Sequence, residues 1–288
     1  MKILVFGNGF IGRSIIQKLH SEGHELLIFS RSIKVEIPCQ QVVGDFFNPK
    51  DVNEILKWNP EVIIQTAWIT TPGIYRNDQA NYSFSESTIQ LAMSIRQSDV
   101  KHLIVLGTCA EYGHQSTSST AGITPVSPNN LYAEQKVSTY KSIQALLFGS
   151  KIRFTWARVF FPYGPEQNDK RLIPYLIKSL NAGSSIKLAD TSSIYDWISV
   201  RDIASAISWT ISQKLPTEID IGTSIGFSNL QLLRMLADLL PSDFKLDGHG
   251  PHDIGLGDVF VAGKDSPLLK SGWLPKDSLQ SGLEWVLN

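Results

Sequence analysis

The sequence predicts an α/β fold, a doubly wound parallel sheet followed by a smaller C-terminal α/β lobe. Short segments rich in Val, Ile and Leu alternate with segments of helical spacing, roughly five times over about the first 110 residues. A glycine-rich turn, GNGFIG at residues 7–12, joins the first strand to the first helix. The 288 residues, 42% of them hydrophobic, suffice for one large domain with an attached lobe.

The composition argues against several classes of partner and location. With a formal net charge of −1, the chain offers no basic surface suited to nucleic acid. No apolar run approaches the ~18 residues of a membrane span. The N-terminus is already a strand and a glycine turn, so we expect no signal peptide, no membrane association and a cytoplasmic protein. Cys39 and Cys109 are too few for a disulfide framework or a zinc site, and no metal is expected.

The first strand and its glycine turn form a unit that predicts dinucleotide binding. Residues 2–6 are a nearly uninterrupted apolar run, typical of a strand buried on both faces, and residues 13–19 have helical spacing. In such a unit the glycines turn the chain and admit a pyrophosphate, while the helix N-terminus offers free N–H groups. The alternative is a glycine-rich turn with a structural role alone. We predict that a dinucleotide is bound by Gly7, Gly9, Phe10, Ile11 and Gly12.

The end of the second strand, residues 24–29, predicts which dinucleotide is bound. An acidic residue there binds the ribose hydroxyls of NAD, whereas an arginine suits the 2′-phosphate of NADP. In this chain Ser30, Arg31 and Ser32 stand at the tip, without an acid. A guanidinium and two hydroxyls can hold a phosphate dianion. The tip therefore favours NADP, with NAD as the alternative.

The third strand, residues 41–46, ends in a second group of cofactor candidates. Asp45 and Phe46 stand at its end, just before a helix expected over residues 50–57. The carboxylate there can accept from the adenine amino group of the cofactor. It can equally cap the helix that follows, and the sequence leaves both roles open.

The fourth strand, residues 60–65, is followed by two small residues. Thr66 and Ala67 let a cofactor pass over the sheet edge, although small residues at a strand end also serve packing alone. A long helix over residues 77–97 and a fifth strand over 100–106 then complete the alternation. We include Thr66 and Ala67 among the cofactor-binding candidates.

A hydroxyl, a phenol and an ammonium group follow the fifth strand. Thr108 comes just after it, and a helix over residues 131–148 carries Tyr132 and Lys136 four residues apart on one face. An ammonium beside a phenol favours the phenolate and so lowers the phenol pKa. Thr108 can donate its hydroxyl to the same reacting oxygen. We predict that these three residues are catalytic.

Beyond residue 165 the pattern loosens into shorter elements. Helical spacing and one late strand occur at residues 201–213, 218–221, 228–240 and 278–287. We expect a dinucleotide-binding domain over residues 1–165, rejoined by later strands, and a smaller interleaved substrate-binding lobe over 166–288.

Two further groups of polar residues lie in this second half. Lys170 and Arg171 precede a helix and can grip a diphosphate, or can simply form a solvated first turn. Residues 248–257 contain four glycines and two histidines and predict a loop. His252 or Asp253 is a conceivable ligand there, but loop polarity is the favoured interpretation.

Taken together, these motifs resemble extended short-chain dehydrogenase/reductases of the NAD-dependent epimerase/dehydratase group, most of which act on nucleotide-diphosphate sugars. The resemblance runs nearly end to end, through GNGFIG, VVGDFFNP, GTCAEYG, YAEQK, ARVFFPYGP, YDWISVRDIASAI, IDIGTS and SGWLPKDSLQSGLEWVL. It implies a Rossmann sheet, Thr108 as the catalytic Ser/Thr, Tyr132 as acid/base, and Lys136 as its partner and a ligand of the nicotinamide ribose. It also implies adenine binding by Asp45 and Phe46.

Four departures from the family pattern bear on the reaction. The first glycine interval is one residue shorter than the usual G-x-x-G-x-x-G. Cys109 and Ala110 stand where sugar dehydratases carry acidic groups or Ser-Glu, which argues against dehydration; Cys109 is expected to pack behind the strand. Phe161, our substrate-binding candidate with Arg171, replaces an Asn that commonly contacts the substrate phosphate. Residues 195–196 are Tyr-Asp instead of Arg-Asp.

The resemblance leaves three functions open. The arginine at the second strand favours an NADP-dependent reductase of a 4-keto nucleotide-diphosphate sugar. The alternative is an NAD-dependent nucleotide-sugar 4-epimerase. A further alternative is a non-catalytic NADP-binding sensor, although such proteins typically lose the Tyr or the Lys. In relatives, the helices corresponding to residues 77–97 and 131–148 pair across a two-fold axis, which implies a homodimer.

Overall fold

A computed structural model describes residues 1–33, 38–240, 244–247 and 257–288. The strands within them are β1 (Lys2–Phe6), β2 (Glu25–Ser30), β3 (Gln40–Val43), β4 (Val62–Gln65), β5 (His102–Thr108), β6 (Arg153–Val159), β7 (Phe161–Tyr163), β8 (Ile194–Tyr195), β9 (Trp197–Ser199), β10 (Glu218–Ile221), β11 (Phe227–Ser228) and β12 (Val259–Phe260). The helices are α1 (Phe10–Ser21), α2 (Pro49–Leu56), α3 (Ala80–Ile95), α4 (Leu131–Leu147), α5 (Leu172–Asn181), α6 (Val200–Ser212), α7 (Asn229–Leu239), α8 (Pro267–Lys270) and α9 (Leu279–Leu287).

The central sheet is parallel and is wound in both directions from β1. Its seven strands have the order β10-β6-β5-β4-β1-β2-β3. β1 pairs with β2 on one side and with β4 on the other, so the strand order reverses beside β1. This arrangement confirms the predicted doubly wound α/β fold. Ligands of such sheets bind outside the carboxyl ends of the strands at the reversal, where the glycine turn after β1 lies.

Separate apolar cores cover the two faces of this sheet. Ile3 and Val5 pack into a core with α1 and α6, whereas Leu4 and Phe6 pack into a core with α2, α3 and α4. Successive side chains of a strand point to opposite faces, so an uninterrupted apolar run is buried on both. The apolar character of residues 2–6 therefore follows from helices on both sides of the sheet.

The start of α2 excludes one of the two roles considered for Asp45. The side chain of Asn48 accepts from the N–H of Lys50, and Pro49 occupies the first helical position, so Asn48 caps the helix. Asp45 instead accepts from the N–H of Phe47. The helix-capping interpretation of Asp45 is wrong.

The sequence patterns missed one long strand. β6 pairs with β5 along seven residues and with β10 on its other side. Its sequence, RFTWARV, breaks the apolar pattern at three positions, and Arg158 is 1% exposed. Arg158 is tolerated there because Glu111 and Glu218 accept hydrogen bonds from its guanidinium, at 2.7 and 2.6 Å. Both partners lie far from Arg158 in the sequence.

The second half of the chain both rejoins the sheet and builds a core of its own. β10 lies at one edge of the central sheet, and α6 packs against α1. A separate apolar core forms between α5, α7 and α9, beside a three-stranded sheet in the order β11-β8-β12. The division at residue 165 into two functional units stays a prediction. No helix in the described ranges is long and apolar enough to cross a bilayer.

Candidate active site

A cleft of about 1040 Å³ opens at the carboxyl ends of the central strands. It is lined from one side by the central sheet and from the other by residues of the C-terminal half. Every site residue predicted from the sequence lies on its wall: Gly7, Gly9, Phe10, Ile11, Gly12, Ser30, Arg31, Ser32, Asp45, Phe46, Thr66, Ala67, Thr108, Tyr132, Lys136, Phe161 and Arg171. Lys170 is not among the lining residues, and His252 and Asp253 lie outside the described ranges.

The glycine turn forms a cradle in which Gly7 and Gly12 leave no room for a side chain, whereas Gly9 faces open space. Gly7 has a φ of +97° and donates its N–H to Phe29 O at 2.9 Å. A Cβ on Gly12 would lie 2.5 Å from Gly7 O, whereas a Cβ on Gly9 would meet no atom within 4 Å. Gly9 is also the N-cap of α1, and no side chain caps that helix end. The free N–H groups and the open space beside Gly9 fit the pyrophosphate of a dinucleotide.

The cradle predicts that one Gly→Ala substitution lowers dinucleotide affinity and that another lowers stability. Gly9→Ala is expected to fold with stability within about 1 kcal/mol of the parent, but to bind the dinucleotide at least about tenfold more weakly, because its methyl group enters the phosphate space. Gly12→Ala is expected to lower the thermal midpoint, because its methyl group meets the Gly7 carbonyl. Calorimetric titration and thermal unfolding of both variants test this. Unchanged affinity in Gly9→Ala would contradict the cradle.

The tip of β2 carries a cation and no carboxylate. Arg31 is exposed on the cleft wall. The Ser30 hydroxyl and the Asn8 amide both donate to Ser32 O, at 2.8 and 2.6 Å, which fixes the backbone of the tip. No ion pair of Arg31 occurs in the part of the chain that the structure describes. The guanidinium is therefore available to an anionic group in the cleft.

Of the remaining cofactor candidates, Phe46 lines the cleft, and Thr66 also stabilises the glycine turn through hydrogen bonds. Phe46 is buried with its ring centroid 5.3 Å from that of Phe6, and it forms part of the wall. The Thr66 hydroxyl donates toward Phe6 O at 2.9 Å and Gly7 O at 3.1 Å. Thr66 therefore stabilises the glycine turn as well as lining the cleft.

Thr108 is fixed by a short helical turn beneath it. The turn covers Cys109–Tyr112, and the Thr108 side chain accepts from the N–H of Ala110 at 3.3 Å. The buried carboxylate of Glu111 accepts in return from the N–H of Thr108 at 2.8 Å. This reciprocal pair is a capping box. As predicted, the Cys109 side chain is buried, in an apolar cluster.

Tyr132 enters the cleft from the first turn of α4. The helix starts at Leu131 because the Asn130 side chain accepts from Ala133 N–H at 3.1 Å. The edge of the Tyr75 ring meets Tyr132 at a centroid distance of 5.1 Å. Burial raises the pKa of Tyr132, and interaction with the Thr108 hydroxyl acts in the opposite direction.

Lys136 is buried in the same cleft, and its ammonium lies closer to the Trp68 ring than to the ring of Tyr132. Its Nζ donates to Leu106 O at 2.6 Å and lies 3.6 Å from the centroid of the Trp68 ring. The Tyr132 ring centroid is 5.9 Å away. Burial lowers the pKa of Lys136 to about 7. Because burial dominates, the pKa of Tyr132 lies above its usual value, opposite to the net lowering expected from the sequence.

The part of the cleft around Phe161 is aromatic. The Phe161 ring packs against Tyr195, Trp197 and Phe260 at centroid distances of 4.7, 5.5 and 5.8 Å. Opposite them, Arg171 donates to Thr70 O at 2.6 Å. The sequence did not place Tyr195 and Phe260 on this aromatic wall, because short strands in different parts of the chain bring them together.

The comparison with known proteins agrees with this geometry. Residues 3–222 match the NAD dependent epimerase/dehydratase family. The chain belongs to this family. It is 24% identical over 306 residues to UDP-glucose 4-epimerase of Lactobacillus helveticus, covering 96% of this chain and 92% of that protein. It is 22% identical over 229 residues to dTDP-6-deoxy-L-talose 4-dehydrogenase (NAD(+)) of Aggregatibacter actinomycetemcomitans, covering 74% and 81%.

Solved structures of the epimerase/dehydratase family share the fold. Thermus thermophilus UDP-glucose 4-epimerase, solved in complex with NAD, superposes with a TM-score of 0.86 and 19% identity, covering 100% of this chain and 99% of that one. Family membership confirms the resemblance drawn from the motifs, and it identifies the protein as an NAD(P)-dependent enzyme of the extended short-chain dehydrogenase/reductase type.

Proposed function

We propose that this enzyme is an NADP-dependent reductase of a 4-keto nucleotide-diphosphate sugar. The tip of β2 supports the choice of NADP, because Arg31 lines the cleft beside Ser30 and Ser32 and residues 30–32 include no acid. A guanidinium pairs well with the 2′-phosphate of NADP, whereas the ribose hydroxyls of NAD call for a carboxylate acceptor.

The chain holds groups for each part of the cofactor. The glycine turn and the N-terminus of α1 would hold the pyrophosphate, and Asp45 and Phe46 would hold the adenine. Arg31 would pair with the 2′-phosphate. The nicotinamide supplies the hydride when NADPH is bound.

The catalytic residues would act on the carbonyl oxygen of the substrate. A raised pKa keeps Tyr132 protonated at neutral pH, so its phenol can donate a proton to that oxygen. The Thr108 hydroxyl, rigid in its capping box, would hold the same oxygen. The Lys136 ammonium, near the Tyr132 ring, would favour the phenolate that remains after the transfer.

The substrate would lie between the two halves of the chain. We propose residues 1–165 as the dinucleotide-binding domain and residues 166–288 as the substrate-binding lobe. Arg171 would pair with the diphosphate of the substrate, and Phe161 would contact it through the aromatic wall. Cys109 and Ala110 replace the acidic groups that dehydratases carry after the Thr, and burial raises the pKa of the Cys109 thiol, which argues against dehydration.

A second candidate is an NAD-dependent nucleotide-sugar 4-epimerase. The similarity to UDP-glucose 4-epimerase over nearly the whole chain favours it. An epimerase oxidises and reduces the same carbon, so it needs the same Thr, Tyr and Lys. The reactions differ in the net consumption of cofactor.

The net consumption of cofactor therefore distinguishes the reductase from the epimerase by experiment. The purified enzyme is incubated with NADPH or NADH and a dTDP-4-keto-6-deoxy sugar, and separately with NAD⁺ and UDP-glucose. A reductase consumes one NADPH for each alcohol formed from the keto sugar. Interconversion of UDP-glucose and its C4 epimer without net loss of cofactor would replace this proposal with the epimerase. Dinucleotide binding without turnover of either substrate class would indicate a sensor.

The proposed role of Arg31 predicts a selective loss of affinity. Arg31→Ala removes a charge-assisted bond to the 2′-phosphate, so the dissociation constant of NADPH is expected to rise about tenfold or more. That of NADH is expected to change less than about twofold. Arg96→Ala, which removes an exposed arginine at the end of α3, is the matched control. An equal loss for both cofactors would contradict the assignment to NADP.

We also propose that the enzyme is a homodimer assembled through α3 and α4. These helices pack against each other on one face of the sheet, and Tyr82 and Met93 of α3 are half exposed. Apolar side chains on such a face suit a symmetric contact between two copies. Light scattering on the purified enzyme distinguishes dimer from monomer.

A further inference from the structure

The surroundings of Lys136 lack a paired carboxylate. Lys136 is 4% exposed, and the acceptor of its Nζ among the described residues is Leu106 O. No ion pair of Lys136 is present within the described residues. The Trp68 ring lies over the ammonium instead, with its centroid 3.6 Å from Nζ. A buried ammonium with one acceptor needs a further source of stabilisation.

The Trp68 ring is fixed from behind. Its Nε1 donates to Asn81 Oδ1 at 2.8 Å. Asn81 is fully buried, and its amide donates to Tyr75 O and Asp78 O at 2.7 and 2.8 Å. Phe84 stacks on Trp68 with centroids 5.7 Å apart. The indole is therefore held in place independently of Lys136.

We propose that Trp68 is a positioning residue that keeps the Lys136 ammonium charged at the Leu106 carbonyl. The negative face of an indole attracts a cation, and the attraction is stronger when the pair is removed from water. The functional importance of this contact rests on the proposed catalytic role of Lys136. The contact itself is a property of the enzyme without cofactor.

The charged, titratable and aromatic groups around Lys136, besides Trp68, come from three elements. Glu111, in the turn after β5, attracts the ammonium, but its carboxylate is already bonded to Arg158 of β6. Tyr132 lies on α4 itself, and the Trp156 ring of β6 is 5.8 Å away. Burial lowers the pKa of Lys136 to about 7, so near neutral pH a modest loss of cation stabilisation changes the charged fraction substantially.

Fluorinated tryptophans at position 68 test the contact while nearly preserving the size of the ring and retaining the N–H that donates to Asn81. Each fluorine withdraws electron density from the face and weakens its attraction for a cation. The pKa of Lys136 is followed by NMR of ¹³Cε-lysine, assigned by comparison with Lys136→Met. We expect it to fall stepwise with fluorine number, by roughly 0.5 to 1 unit in all. A pKa independent of fluorination would overturn the proposal.

The pH profile provides the functional test. If the ammonium form is required, kcat/KM falls as pH rises through the Lys136 pKa, so weakening the Trp68 contact moves this fall to lower pH. Trp68→Leu is expected to shift it by about one unit. Trp58→Leu removes an indole that lies 5.1 Å from Lys2, away from the cleft, and is expected to leave the profile unchanged.

These outcomes separate two kinds of failure. Full activity of Lys136→Met would remove the catalytic role of the lysine, while the fluorination series would still report whether Trp68 stabilises the ammonium. An unchanged profile in folded Trp68→Leu, with activity lost in Lys136→Met, would leave the site intact and overturn the role of Trp68. Should Trp68→Leu fail to fold, the fluorinated proteins decide the question.

Discussion

Tyr132→Phe is expected to lower kcat by about 10²- to 10⁴-fold while the dissociation constant of NADPH changes less than about threefold. The substitution removes the phenolic proton, and positioned proton transfer contributes an acceleration of this size. The ring contacts with Tyr75 and Trp68 remain, because phenylalanine preserves the ring. Steady-state kinetics of NADPH oxidation and a binding titration measure the two quantities.

The matched control is Tyr140→Phe, which makes the same change two turns further along α4. Tyr140 donates its hydroxyl to Glu218 at 2.7 Å and does not line the cleft. Its loss is expected to lower stability by about 1 kcal/mol and to leave kcat within about twofold. Comparable activity of Tyr132→Phe and the parent would exclude Tyr132 as the proton donor.

The cofactor side of this site was predictable because its signals are local. The strand of residues 2–6, the three glycines and the first helix are continuous in sequence. The role of each residue can therefore be inferred from the residues next to it in the chain. Tyr132 and Lys136 were found in the same way, since residues four apart share a helix face. Helix spacing fixes the face but not the direction of a long side chain, so it did not show that Lys136 Nζ turns to Leu106 O and Trp68.

Features whose stability or position depends on residues far away in the sequence were not predictable from local patterns. β6 was missed because its buried arginine contradicts a strand pattern until Glu111 and Glu218 are placed around it. The aromatic wall depends on β8, β9 and β12, which are two or three residues long, too short for a periodic signal. Trp68 reaches Lys136 only because the segment after β4 lies beside α4.

Glu111→Ala is expected to lower the free energy of unfolding by about 3–5 kcal/mol, because it leaves one side of a buried charged network unpaired. Its carboxylate accepts from three groups, the N–H of Thr108, Trp156 Nε1 and Arg158 Nε, at 2.8, 3.0 and 2.7 Å. All are buried, so water cannot replace the lost acceptor readily. Arg158 would retain Glu218 as its remaining partner. Denaturant unfolding measures the loss.

Two further variants test whether the loss of stability comes from the negative charge of Glu111 and from its burial. Glu111→Gln keeps an acceptor oxygen for Thr108 N–H but not the charge facing Arg158, so an intermediate loss is expected. Glu54→Ala breaks an ion pair with Lys57 in which both side chains are more than 70% exposed, and it is expected to change stability by less than about 1 kcal/mol. Equal effects of Glu111→Ala and Glu54→Ala would contradict the network. The same network also holds Thr108, so kcat is expected to fall in Glu111→Ala even where the protein is fully folded.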